Sequence, residues 1–528
     1  MIFSVLPRPP VGKDESSMFM TESAGKKISN KIAQRMGIKW YRGLSPGGFF
    51  RWSNMCPDLE SSQCCNFSEK NFNWWDEEVK DAVNHNITWM GTIWIGSKVK
   101  CAYLPNGNIN ITRWKGFVNM TVNHYKDYVK YWEIWNEPSS VDEYCDILIS
   151  SYEVIKSVDP HAVIIGLGGV SNVNFAKEVL ECVKNKNETI ASDIKNISFH
   201  FYPYSVKGIN TNADSVFELL HNESLDGWNT EASQGGSAPF YKFLDLEWLP
   251  YYKTTNWYKK GEIETMSYGN KVKNGESIRR ESIYYTYWIK TEKLLRNIFS
   301  TRGGSESYSG FTKYSQYDGF RHSCNLLHMG CWNLIGFDDN LKPLGAAYAI
   351  HIHLFDHTVG QGRLKLHEVK NLSTPVWIYF FRKDNESLAT ISPESETILL
   401  LPFNKSEVKL FDIMGNEIYP WNVKEGFIAE FKSINLSEGP IPSSIYVVSN
   451  SSAISFNEFK ARFHSVEEIT GYSSCKKCII PINGSLVINS SLFLCERPLV
   501  FCRDTYAMNI TITVSYTHLR AHETRHDL

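Results

Sequence analysis

Apolar positions along the first two thirds of the chain alternate between two rhythms. One is a three-to-four-residue spacing over ten or more positions, and the other is a short continuous or two-residue run. Lys27 to Met36 has the helical spacing and leads into the run Ile38 to Arg42. Trp75, Val79 and Val83 share one face of a helix within Trp74 to His85, and Ile87 to Trp94 follows as a strand. The same alternation gives helix Trp114 to Lys130 and strand Tyr131 to Glu137, helix Val141 to Val158 and strand Ala162 to Leu167. Helix Asn174 to Lys184 precedes strand Ile197 to Tyr202, and helix Ser215 to Leu220 precedes strand Leu225 to Glu231. Helix Ser282 to Asn297, strand Gly310 to Tyr317 and helix Lys342 to Leu354 end the series. With a first strand expected near Met1 to Leu6, that makes eight strand–helix units, which predicts a fold of the α/β class with parallel strands closed into a barrel. An open doubly wound sheet is the alternative; it calls for a G-x-G-x-x-G turn after the first strand, and none is there.

The rhythm changes after about residue 358. Val376 to Phe381, Thr397 to Leu401, Val408 to Asp412 and Ile445 to Val448 are short strands separated by turn residues such as Met414-Gly415-Asn416. The expected division is a barrel over 1–358, an antiparallel β-sandwich over 359–450 and part of a further β-module over 451–514. The segment 515–528, SYTHLRAHETRHDL, reads as a translated adapter-like tail, so its histidines are not taken as metal ligands.

One stretch carries most of the chemistry: Tyr131-Trp132-Glu133-Ile134-Trp135-Asn136-Glu137-Pro138. Aromatic and β-branched residues make it a buried strand, and Pro138 forbids its continuation in a ladder. A two-residue period puts Glu133, Trp135 and Glu137 on one face and delivers Glu137 to the C-terminal mouth of the barrel. Beside indole rings its carboxyl is expected to be partly desolvated and raised in pKa, as suits a proton donor. The plainer role for this turn is helix capping by Asn136. Glu231, at the end of strand seven, is the matching carboxylate. Cleavage of a glycosidic bond needs one carboxylic acid for the leaving oxygen and one carboxylate for the developing cation.

WEIWNEPSS resembles the acid/base signature of the clan A retaining glycoside hydrolases, and LDGWNTEAS is similar to that clan's nucleophile strand. GIKWYR, SFHFYPY and the trailing LFDIMGNEI resemble the family 39-like group, of β-xylosidase and α-L-iduronidase type. The resemblance implies a (β/α)8 TIM barrel followed by an antiparallel β-sandwich, with Glu137 as acid/base and Glu231 as nucleophile. It implies that Asn136 binds the sugar 2-hydroxyl and that Arg42 holds Glu231 ionised. His200 and Tyr202, sharing a face of strand six, would reach the sugar or the nucleophile. Trp94 and Tyr317, at other strand ends, are candidate stacking platforms. Core packing is the competing role for the last four, and a surface ion pair for Arg42. Glu133 is expected to be a buried scaffold residue.

The expected reaction is retaining hydrolysis through a covalent glycosyl-enzyme, with a carboxyl separation of about 5 Å and no metal or cofactor. Transglycosylation at the same site and an inactive carbohydrate-binding barrel are the alternatives. The partner is a glycoside, oligosaccharide or polysaccharide; sugar, anomer and oligomeric state are not read from the chain. The tyrosine- and tryptophan-rich stretch Tyr241 to Trp257 would wall the cleft.

The remaining composition narrows the setting. A formal net charge of −2 supplies no field for nucleic acid, and no run approaches a membrane span. Asn-x-Ser/Thr sites at Asn66, Asn86, Asn110, Asn119, Asn187, Asn196, Asn222, Asn371 and Asn385, with 12 cysteines, point to a secreted or extracytoplasmic glycoprotein whose leader is not visible. Cys475, Cys478, Cys495 and Cys502 lack the spacing of a complete zinc set and are expected as disulfides or free thiols.

Overall fold

The structure, a computed structural model, describes residues 18–469 apart from 23–26, 44–49, 57, 67–71, 97, 203–208, 234–261, 266–269, 274–279, 318–333, 335–342, 370–371, 424–425, 432, 435–440 and 451–452. Eight strands form the barrel: β1 Met18–Glu22, β2 Trp40–Gly43, β3 Thr88–Trp94, β4 Tyr131–Ile134, β5 Val163–Val170, β6 Asn196–Phe199, β7 Asp226–Ala232 and β8 Lys313–Tyr317. Every neighbouring pair is parallel, and β8 pairs with β1 to close the ring. The helices that follow them are α1 Lys27–Met36, α2 Asn73–Asn84, α3 Ile111–Tyr125, α4 Val141–Val158, α5 Val173–Lys186, α6 Asp214–Asn222, α7 Arg280–Gly303 and α8 Pro343–Phe355.

The first strand corrects the sequence reading. Met1 to Leu6 lies outside the described residues, and Met18–Glu22 fills the first-strand place between β8 and β2. Five residues with no long apolar run give little period to detect, so the closure of the ring identifies this strand better than its pattern does.

Inside the barrel the side chains form layers. Trp40, Met90, Tyr131, Ile165 and Trp228 fill the lower one, with the Trp40 and Tyr131 rings 4.5 Å apart. Lys313 Nζ lies 4.2 Å from the Trp40 ring centre, which satisfies a buried cation on an aromatic face. The layer above is polar, built from Arg42, Thr92, Glu133 and Thr230. Outward-facing residues such as Trp132, Ile134 and Phe199 pack under the helices. An apolar floor beneath a polar layer leaves the C-terminal mouth as the open, chemically active end.

A six-stranded antiparallel sheet follows, ordered Val359–Lys365, Val376–Lys383, Glu386–Pro393, Ile445–Ser449, Val408–Asp412 and Glu417–Ile418. A four-stranded sheet, which includes Thr397–Leu401 and Gly426–Phe431, packs on it across a core of Ile378, Phe380, Ile391, Leu399, Phe427 and Val447. The other face of the larger sheet meets the barrel helices, where Phe355 and Phe381 stand 5.0 Å apart. Residues 453–469 do not begin another β-module. Helix Phe456–Phe463 buries Phe459 and Phe463 in the sandwich core, and Glu467–Glu468 pairs with Thr397–Leu401. The cysteine set from Cys475 to Cys502, the rest of the expected module and the tail 515–528 lie outside the described residues, as does Tyr241 to Trp257.

Disulfides join Cys65 to Cys101, across the loops after β2 and β3, and Cys145 on α4 to Cys182 on α5. Among the described residues no helix is long and apolar enough to cross a membrane.

Candidate active site

The carboxylates of Glu137 and Glu231 meet over the polar layer, one oxygen of each within 4.8 Å of the other and of a ring nitrogen of His200. Each arrives by a local departure from regular strand geometry. The ladder of β4 ends at Ile134, and Trp135 and Glu137 take φ values of 74° and 50°. Side chains on both sides of that kink therefore do not follow the expected two-residue period. Glu133 faces into the barrel, whereas Trp135 turns towards the helix layer, its ring 5.6 Å from that of Trp114. Three bonds hold the strained turn. Tyr144 Oη donates to Ile134 O at 2.9 Å, Trp135 N donates to Ile93 O at 2.8 Å, and Glu137 N donates to Gly168 O at 2.6 Å. Positive φ at such residues costs of order 1–3 kcal/mol each, a cost concentrated at functional sites. Asn136 does not cap the next helix; Ser140 does, accepting from Glu143 N.

Glu231 owes its position to a bulge. Between β7 and β8 the register advances from Asn229↔Tyr314 to Ala232↔Gln316, so β7 has one extra residue there. The bulge lets Thr230 and Glu231 both serve the barrel interior, although strict alternation would oppose them. Thr230 Oγ1 donates to Glu133 Oε1 at 2.8 Å, while Glu231 accepts from Arg42 Nη1 at 2.9 Å and from Tyr202 Oη at 2.6 Å.

Arg42 is the hub. Fully buried on β2, it donates from Nε to Glu133 Oε2 at 2.6 Å, from Nη1 to Glu231 Oε2, and from Nη2 to Asn136 Oδ1 at 2.8 Å. Burial works against its charge, but Glu133 and Glu231 outweigh that effect and hold its pKa above the ordinary value. Burial likewise opposes ionisation of Glu133. Arg42, with His200 and the Thr230 hydroxyl, reverses the balance and holds this carboxyl below the usual range.

Glu137 differs from expectation. Its side chain is 58% exposed, and its pKa is lowered, chiefly by the bond with His200 Nδ1 at 3.0 Å, with burial only partly opposing it. The tryptophans expected to desolvate it point into the helix layer instead. A ring N–H aimed at the carboxylate favours the charged form in the empty cleft.

His200 and Tyr202 lie beyond the end of β6 at Phe199, in the loop and not on a shared strand face. Both nevertheless reach the pair, one to Glu137 and the other to Glu231. His200 stands directly over Gly169, where a Cβ would lie 2.1 Å from Nε2. Trp94 ends β3 at the same mouth, with the Arg51 guanidinium 4.9 Å from its ring centre. Tyr317 is the last residue of β8, opposite Thr21 in the register; its side chain lies outside the described residues. Sequence reasoning missed Thr92 and Thr230, whose hydroxyls complete the shell of Glu133. Their inward register on strand ends was the available signal.

Glu137, His200 and Glu231 are close enough to bracket a small cation. Both oxygens of Glu231 already accept bonds, however, and the nearby positive charge is Arg42. The geometry fits proton transfer better: an exposed carboxyl at the rim faces a buried carboxylate beside a guanidinium.

No protein-family model matches the chain, and no curated protein matches it. Solved structures do. A family 39 glycoside hydrolase from the gut symbiont Bacteroides cellulosilyticus WH2 superposes with a TM-score of 0.54 at 15% identity, covering 84% of this chain and 83% of its own. A GH10 endoxylanase retrieved from a sugarcane soil metagenome gives 0.42 at 11% identity over 65% of this chain and 100% of its own. A xylanase from Paenibacillus barcinonensis gives 0.38 at 12% identity, covering 64% of this chain and 97% of its own. The last two scores are too low to carry weight. The first shows that this chain shares its overall fold, a TIM barrel followed by a β-sandwich, with a family 39 glycoside hydrolase.

Proposed function

We propose that the protein is a retaining glycoside hydrolase of the family 39-like group. The observation that carries the reading is the proximity of the two carboxylates, one oxygen of each lying within 4.8 Å of the other. Retaining pairs stand about 5–5.5 Å apart, whereas inverting pairs need roughly 6.5–9.5 Å to admit a water between acid and base. The fold shared with a family 39 enzyme, at 15% identity, agrees with this reading.

The roles follow from the two environments. Glu231, fixed by Arg42 and Tyr202, attacks the anomeric carbon as a carboxylate while protonated Glu137 donates to the leaving oxygen. The C–O bond to the leaving group breaks as the ester to Glu231 forms. Glu137, now ionised, takes a proton from water, whose oxygen displaces Glu231 and frees the sugar. Glu137 must be protonated when it acts, so the His200 contact that keeps it ionised in the empty cleft has to weaken when sugar binds and expels water. Asn136 offers the glycone its Nδ2, because its Oδ1 is taken by Arg42.

We also place the protein in an oxidising, extracytoplasmic compartment. Two disulfides and exposed sequon asparagines at Asn66, Asn86, Asn119, Asn222 and Asn385 support this.

Incubation with activated 2-deoxy-2-fluoro glycosides, followed by peptide mass spectrometry, tests the mechanism. The expected adduct is on Glu231. A protein that hydrolyses aryl glycosides with inversion, or that is labelled elsewhere, refutes it; no turnover and no adduct across xylo-, gluco-, glucurono- and iduronosides favours a binding protein.

A further inference from the structure

One fully buried titratable group takes no part in the two-step reaction. Glu133 has no exposed surface and lies beneath the cleft, yet it accepts a bond of 2.6 Å from Arg42 Nε. Its carboxylate is satisfied on both sides, by Thr92 and Arg42 at Oε2 and by Thr230 at Oε1. A residue needed only to fill this space would not require a charge. A neutral amide would still accept from Arg42 and Thr92 through its oxygen, without the desolvation cost of a buried carboxylate.

The consequence lies with the guanidinium. Arg42 carries one positive charge and meets two carboxylates, Glu133 through Nε and Glu231 through Nη1. Resting on the reading of Glu231 as nucleophile, we propose that Glu133 is a positioning residue that divides the charge of Arg42. Glu231 thereby receives only a share of that charge, instead of being locked in a full ion pair. The bonds also fix geometry. With Nε held by Glu133 and Nη2 by Asn136, the guanidinium plane has one orientation, and its Nη1–H points at Glu231.

Other charged groups act on this balance and stay constant in the comparison. Glu231 is faced by Arg42 on β2, Glu137 after β4, and His200 and Tyr202 after β6. Glu133 is faced by Arg42, with His200 and the Tyr144 phenol of α4 acting at longer range.

The test is the acid limb of kcat/KM against pH, which reports ionisation of the nucleophile in the free enzyme. It is measured on whichever aryl glycoside of the xylo-, gluco-, glucurono- and iduronoside panel the wild type turns over. Glu133→Gln keeps an acceptor for Arg42 and Thr92 but removes the charge. A unit charge lost across a guanidinium at an effective dielectric near 20 moves a carboxylate by about one pH unit or more. The limb is therefore expected about one unit lower, with kcat falling more than KM changes. Glu133→Asp retains the charge but draws it back from Arg42, and is expected to shift the limb in the same direction by less. If Glu133→Gln does not fold, the Glu133→Asp limb decides. A limb at the wild-type pH in every folded variant, whatever the loss of rate, overturns the proposal and leaves Glu133 a structural residue. That result leaves the glycosidase reading intact, which fails separately if the wild type turns over nothing and forms no fluoroglycosyl adduct.

Discussion

Replacing Arg42 by methionine removes the cation from a sealed layer that holds two carboxylates. Three hydrogen bonds are lost together, to Glu133, Glu231 and Asn136, from a side chain with no exposed surface. Breaking a buried pair by deleting one partner costs roughly 3–5 kcal/mol, because the remaining charge stays desolvated. Glu133 keeps Thr92 and Thr230, and Glu231 keeps Tyr202, so neither is stripped bare. About 4 kcal/mol at pH 7.5 is the expectation. At about 2 °C per kcal/mol for a large domain, Tm should fall by about 8 °C. The sign of the pH dependence is fixed by Glu133. In the wild type its folded pKa is lowered, so its contribution is present above the unfolded value and lost as pH falls through the folded one. In Arg42→Met the folded pKa instead rises above the unfolded value, so the variant takes up a proton and recovers as pH falls from neutrality towards the ordinary glutamate range. Thermal unfolding followed by circular dichroism at pH 7.5 and 4.5 should show the deficit shrinking by at least half. Arg42→Lys, a point charge that cannot fork to three acceptors, should lie between. A Tm within 2 °C of wild type at pH 7.5, or a deficit equal at the two pH values, would refute the reasoning.

Three further outcomes are expected from the structure. His200→Phe removes the bond that lowers the pKa of Glu137, so the protonated acid should persist further and the basic limb of kcat/KM move to higher pH; an unmoved limb means that His200 does not set it. Gly169→Ala puts a methyl 2.1 Å from His200 Nε2 at a φ of +79°, and should reproduce that shift with a loss of about 10²-fold in kcat/KM, whereas wild-type kinetics would show that the histidine is not pinned there. Replacing Cys145 and Cys182 together by serine opens a loop closed over 37 positions and should cost about 4 kcal/mol, read as a lower Tm; identical melting of the oxidised wild type and the variant counts against that bridge.

Much of the barrel was legible because most of its strands carry aromatic or β-branched residues and are set between helical segments, and that alternation repeats. The ends of elements were less so. The strand expected to run to Glu137 stops at Ile134, and the one expected to include His200 and Tyr202 stops at Phe199. Trp135 follows the one and His200, Phe201 and Tyr202 follow the other, so aromatic composition does not mark where the backbone turns. The direction of the pKa shift at Glu137 was misread for a related reason. Neighbouring tryptophans in sequence are neighbours in space only if the pleat continues, and the positive φ at Trp135 ends it.

By itself, the order of residues determined the alternating units, the two glutamates at strand ends and the residue types able to surround them, since periodicity and side-chain chemistry are local properties. Ring closure through Met18–Glu22, the bulge that swings Glu231 inward and the single guanidinium joining β2, β4 and β7 were decided by the tertiary structure. Each depends on which backbone groups of distant strands pair and in what register, and that is a cooperative outcome of closing the sheet on itself.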